Sequence, residues 1–204
     1  MKKTLITPPA AQAIDLDVLK QFLRMDADLY TVHADTITAL ITACTGHAED
    51  MTGRAMITQT WDLTFDSWSD VLFEDGGYGP ERVLPFGWCQ EAAHIKYLDP
   101  DQTEVTLDTD QWAAAGIGAD DGAQIYFPGD GGFDSPALYE KEAVTLRMVC
   151  GYGDTHAAVP APVRTAIMVM VKDLFDGEEY GFTNYAMVPK TANVLLRPYK
   201  LWRF

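Results

Sequence analysis

The hydrophobic period changes twice along this chain of 204 residues, and those two changes dictate its architecture. Leu29, Val32, Ile37, Leu40, Ile41, Cys44, Ala48 and Met51 fall at helical spacing and read as one apolar stripe. Gly53 is placed to end that helix in a left-handed cap. Ile57, Gln59, Trp61, Leu63 and Phe65 then alternate with Thr58, Thr60, Asp62 and Thr64, a strand pattern. Alternation returns in Ala143–Cys150, and the helical period resumes at Val163, Ile167, Met170, Val171 and Leu174. A stripe cut for one period cannot bury itself in the other. The expected fold is therefore α+β: a small helical bundle with an antiparallel β region inserted at about 56–150.

The helices are expected at 15–25, 27–52 and 162–175. Leu16, Leu19, Phe22 and Leu23 mark the first, and Pro160 and Pro162 open the third, since proline suits a first helical turn. Residues 4–9 read as extended, because the residue before a proline avoids the helical region. Arg82–Pro85, Glu91–Leu98, Thr103–Leu107 and Ala123–Phe127 are further candidate strands, with Asp99-Pro100-Asp101-Gln102 as a hairpin turn. Loops are expected at 68–80 and from the last of these strands to Pro136. Residues 1–180 read as one domain and 181–204 as an irregular, extended C-terminal arm with one helical turn near Thr191–Leu196.

Charge divides the chain unevenly. All 30 acids precede residue 180, while Lys190, Arg197, Lys200 and Arg203 lie beyond it among Tyr199, Leu201, Trp202 and Phe204. Arg and aromatic side chains anchor interfaces, so the terminus reads as a docking segment. A net charge of −15 argues against general nucleic-acid binding or attachment to an anionic membrane. Cys44, Cys89 and Cys150 are odd in number and widely spaced, unlike a disulfide framework. With no signal-peptide core or twenty-residue apolar run, the expectation is a soluble component of a reducing compartment.

No constellation of catalytic residues stands out. Cys44-x-x-His47 supplies two ligands where zinc needs three or four, and Cys89 with His94 lacks an oxyanion motif or an orienting group. Residues 97–140 are rich in acids, among them Asp99, Asp101, Asp108, Asp110, Asp120 and Asp121, and contain no Lys or Arg. They do not match the twelve-residue calcium loop, and they read first as solvated surface. No GxxxxGK[ST] occurs, and Gly151-x-Gly153 lacks the third glycine of a dinucleotide site. The expectation is no enzyme, no metal and no cofactor.

Three stretches in order carry a resemblance: Thr52-Gly53-Arg54-Ala55-Met56-Ile57-Thr58-Gln59-Thr60-Trp61 after a long helix, Gly151-Tyr152-Gly153-Asp154 with Val159-Pro160-Ala161-Pro162-Val163-Arg164 before a helix, and Leu195–Phe204 at the end. Together with Leu5-Ile6-Thr7-Pro8-Pro9 and Lys20-Gln21-Phe22-Leu23-Arg24, the chain resembles the head–tail connector (adaptor) proteins of long-tailed phages, prophages and gene transfer agents. It departs from them in the loops at 68–79 and 112–136.

The resemblance implies a ring, usually twelve-fold, beneath the portal at the capsid vertex. Such a ring extends the DNA channel and presents a surface to the next neck, stopper or tail-terminator protein. It implies a virion component assembled in the host cytoplasm, with no membrane partner and no sequence-specific grip on DNA. The portal-binding arm of relatives falls here on Arg197, Pro198, Tyr199, Lys200, Leu201, Trp202, Arg203 and Phe204. Asp99, Asp101, Asp108, Asp110, Asp120 and Asp121 become a candidate channel surface that repels phosphate and keeps DNA mobile. Burying Trp202 and Phe204 gives roughly 8–12 kcal/mol gross, from about 150–250 Å² each. Association costs on the order of 4–15 kcal/mol, so one arm is marginal and a ring of arms gains by avidity. Two other classes fit the residues less fully: a metal-dependent hydrolase or nuclease using the 97–140 acids, and a tail-associated carbohydrate-binding module.

Overall fold

The structure, a computed structural model, describes residues 1–71, 84–120, 122–128, 134–180 and 189–201, with 178–180 described by backbone alone. The chain forms two compact units, each assembled from separated segments. One comprises residues 1–8, 58–151 and 201–204; the other comprises 9–57 and 152–200.

The second unit is helical. Helix α1 (Leu16–Leu23) starts where the Asp15 carboxylate accepts from the Asp17 and Val18 amides at 2.8 and 3.2 Å. Helix α2 (Ala27–Thr52) starts the same way, with Asp26 accepting from the Leu29 amide at 2.8 Å. It ends as expected at Gly53, whose φ of 69° lets its N–H reach the Glu49 carbonyl at 2.8 Å. Ile37, Ile41, Cys44 and Ala48 of α2 are buried against Val163, Ala166, Ile167, Met170 and Val171 of a second long helix of 20 residues (Ala161–Tyr180). That helix runs five residues beyond its expected end.

Two members of the expected α2 stripe are not in this core. Leu29 is 44% exposed and Val32 77%. The step from Val32 to Ile37 is five residues, which turns Val32 about 140° away from the buried line at 100° per residue. Tyr30 and His33 lie inward instead, and His33 meets the Phe175 ring edge-on at 5.5 Å between centroids.

The first unit is built on an antiparallel sheet. Strands β1 (Lys2–Thr7), β2 (Gln59–Phe65), β3 (Cys89–Leu98), β4 (Glu104–Thr106) and β7 (Val144–Cys150) lie in the order β1-β2-β7-β3-β4. The central strand β7 pairs with β2 from Gln59↔Cys150 to Phe65↔Val144 and with β3 from Cys89↔Cys150 to Tyr97↔Val144. Period two then sorts the faces: Val144, Leu146, Met148 and Cys150 are buried with Leu63, Phe65, Cys89 and Ile95. The opposite face carries Thr60, Asp62, Thr64, Thr145 and Arg147. Arg147 spans the strands to Asp62 in a two-pronged ion pair at 2.8 and 2.7 Å.

A second, two-stranded sheet pairs β5 (Ala113–Ala115) with β6 (Gln124–Tyr126), and a four-residue helix α3 (Trp68–Val71) follows β2. Both β5 and α3 fall where loops are expected. The Trp68 indole N–H donates to the Pro136 carbonyl at 2.8 Å and its ring abuts Tyr97 and Phe127, so the connection is tied to the apolar side. Of the candidate strand Arg82–Pro85, residues 82 and 83 lie outside the described residues. Leu84 and Pro85 belong to no strand, although the Leu84 amide bonds the Ala123 carbonyl.

Candidate docking site

The chain end is not a free arm over its described part. Lys190–Leu196 is a helix, the fifth in chain order after Ala161–Tyr180 (α4), and is named α5; a 3₁₀ turn over Arg197–Tyr199 follows. Ala192 and Leu196, four apart, are 0% and 1% exposed in the helical core. The single turn expected at Thr191–Leu196 is thus a docked helix.

Arg54 fixes the turn that follows. Its side chain is buried, and its Nε donates to the Tyr199 carbonyl at 2.6 Å. Arg54 stands just past the Gly53 cap, with its own amide bonded to the Thr52 hydroxyl at 3.3 Å. Nearby, the Met56 amide donates to Glu49 Oε1 at 2.8 Å, and the Met56 carbonyl accepts from the Tyr152 amide at 3.2 Å. Within the helical unit the three stretches that carry the resemblance therefore meet: Thr52–Ile57, the run from Tyr152, and Leu195–Lys200. Gly151, in the β unit, has a φ of 128°, open to glycine; its N–H bonds the Trp88 carbonyl and its carbonyl accepts from Gln90 Nε2 at 2.7 Å. The role of Arg54 is not visible in the sequence, where it is one base in a motif.

The expected arm residues divide by orientation. Arg197, Pro198 and Lys200 are exposed, Tyr199 is half-buried and Leu201 is buried. Trp202, Arg203 and Phe204 lie outside the described residues. The outward face of α5 presents Lys190, Thr191, Asn193 and Val194, the last 70% exposed.

The acids of the β unit gather in sequence around one edge strand. Asp99 and Asp101 form the turn between β3 and β4, where the Asp99 carboxylate accepts from the Asp101 and Thr103 amides at 2.9 Å each. Asp108 and Asp110 follow β4 and are exposed. Asp120 is exposed in the connection between β5 and β6, and Asp121 lies outside the described residues. Asp99 thus shapes a turn, and Asp101, Asp108 and Asp110 offer negative charge to solvent beside β4.

The cysteines offer no nucleophile. Burial pushes the Cys44 and Cys89 thiols up to about 11. Cys44 faces the helical core while His47 is exposed. The Cys89 thiol donates to the Glu91 carbonyl at 3.4 Å. His94 sits beside Arg147, its pKa lowered first by burial and then by that guanidinium. Among the described residues no three His, Cys, Asp or Glu side chains gather as a metal site, and no helix is long and apolar enough to cross a membrane.

No family model and no curated protein matches the chain. Solved structures do. A chain in the neck of an empty gene transfer agent particle, computed with C6 symmetry, superposes with a TM-score of 0.76 at 17% identity, over 100% of this chain and 97% of that one. A chain in the virion of the native gene transfer agent gives 0.74 at 17% identity, and one in the native neck computed with C12 symmetry gives 0.71 at 16%, both over the same shares. The likeness takes in both units and the C-terminal helix, so this chain has the fold of a chain found in the neck of gene transfer agent particles.

Proposed function

We propose that the protein is a structural head–tail connector subunit. It forms a ring, twelve-fold by the resemblance, beneath the portal, extends the DNA channel, and offers its far side to a stopper or tail-terminator protein. The observation that carries this reading is the end-to-end likeness to a gene transfer agent neck chain, one of those necks having been computed with C12 symmetry. The convergence of Arg54, Met56, Tyr152 and Tyr199 supports it, because it links the stretches on which the family resemblance rests. The protein acts by shape and docking and not by catalysis.

The anchored α5 redefines the arm. Removing 191–204 would take Ala192 and Leu196 out of the core and unfold the unit being tested. The portal contact is assigned to residues 202–204 with the exposed Lys200. The exposed acids beside β4, Asp101, Asp108 and Asp110, face the channel and keep the DNA from adhering.

The test is capture by purified portal rings. Full-length protein binds; a chain lacking 202–204, and the Trp202→Ala/Phe204→Ala variant, keep their thermal transition and lose capture. Undiminished capture by both would overturn the arm assignment. Particle images that place the protein at the tail tip would overturn the connector reading itself.

A further inference from the structure

The two most exposed of the larger apolar side chains among the described residues are valines on different helices: Val32 of α2 at 77% and Val194 of α5 at 70%. Valine is a weak helix former on a helix surface, so neither is there for the helix's sake. Each stands in a charged stripe of the same spacing. On α2 the stripe is Asp28-Val32-Asp35; on α5 and its following turn it is Lys190-Val194-Arg197. Offsets of four and seven residues bring all three members onto a face about 60° wide. All six side chains are exposed. None of the four charged ones forms an ion pair with a described residue. Lys190 also opens its helix, where the backbone dipole disfavours a base.

The stripes complement each other, acid–valine–acid against base–valine–base. Laid side by side with the valines opposed, each base reaches an acid whichever way the helices run. One molecule cannot make this contact with itself. The 3₁₀ turn after α5 is held at Arg54, past the C-terminal end of α2, and α5 with that turn spans about 15 Å. Asp35 lies 19 residues, about 28 Å of helix, back from Arg54 towards the other end.

We infer that Lys190-Val194-Arg197 of one copy docks on Asp28-Val32-Asp35 of a second copy of this chain, head to tail. Such a heterologous contact leaves one stripe free at each end, so copies add in series until they close. The inference deepens the ring reading and rests on it for closure. The valines exclude water at the centre, and the flanking charges set direction and encounter rate.

Disulfide trapping of the full chain tests it, since the three native cysteines are buried. Val32→Cys protein mixed with Val194→Cys protein under mild oxidant gives linked dimers. The double variant gives a ladder of higher species. A Thr38→Cys partner in place of Val32→Cys, on another exposed side of α2, links at least about tenfold more slowly, because only collision brings it together. Lys190→Glu/Arg197→Glu abolishes the ladder, and adding Asp28→Lys/Asp35→Arg restores it. Equal trapping at Thr38, no ladder, or a ladder indifferent to charge reversal overturns the contact. Portal capture is scored in parallel: capture without a ladder sinks this contact alone, and a ladder without capture sinks the portal reading alone.

Discussion

The Nε of Arg54 donates to the Tyr199 carbonyl at 2.6 Å across 145 positions of sequence. A base just past the first long helix thereby holds the 3₁₀ turn Arg197–Tyr199. Because the guanidinium is buried, the bond is not exchanged cheaply for water, and hydrogen bonds to charged groups contribute about 1.5–3 kcal/mol. Arg54→Ala lowers the stability measured by urea unfolding by about that amount, and hydrogen exchange speeds up first at 197–201. Unchanged exchange there would show that the turn is held without Arg54.

Leu196 tests whether α5 belongs to the core. It is 1% exposed, and Leu→Ala at such a site costs about 2–5 kcal/mol through lost transfer energy and the cavity left behind. Val194→Ala on the outward face of the same helix shifts the urea midpoint far less. Equal losses from the two would contradict the orientation of the helix.

His94 sets a pH dependence. Its folded pKa lies below the ordinary 6.5, chiefly from burial and next from Arg147. The unfolded chain therefore binds the proton more readily, so this contribution is complete above the unfolded pKa of 6.5 and is lost as pH falls from there through the lower folded pKa. Urea midpoints taken from pH 8 down to 5 decline for the wild type, and His94→Gln removes part of the decline. A variant that declines as steeply assigns the effect to other groups.

The thiols give a simple check on both cores. With Cys44 and Cys89 pushed up to about 11 and buried, the native protein at pH 8 reacts with a thiol reagent only as fast as it opens. All three cysteines react at once in denaturant. Rapid labelling of a native thiol would contradict the burial on which the trapping experiment depends.

Legibility in the sequence followed the length of each periodic signal. The alternation of Ile57–Phe65 and Ala143–Cys150 located the two strands at the heart of the sheet, and Gly53 marked the end of α2. Short elements gave no such signal. The three alanines of β5 carry no pattern, and α5 has only Ala192 and Leu196 to point inward. The buried stripe on α2 stops short of its start, because Leu29 and Val32 are apolar yet out of phase with Ile37. Strand β1 was legible as extended chain, but its place against β2 was not, since the register Lys2↔Thr64 pairs residues 62 positions apart. Among the site residues, the arm was visible by composition. Its anchor was not, because one arginine in a motif does not announce a carbonyl 145 positions away.

The central place of β7 bears on how this chain emerges from the ribosome. Strands β2 and β3 each pair on one side with β7, and the nearest β2 pair, Phe65↔Val144, spans 79 positions. At about 5–20 residues per second, β2 waits roughly 4–16 s for its neighbour to be made. Through that interval β2 has only β1 beside it, and its other edge, flanked by the apolar Leu63 and Phe65, stays open until residue 150 has cleared the exit tunnel, the kind of unpaired edge that invites aggregation during synthesis.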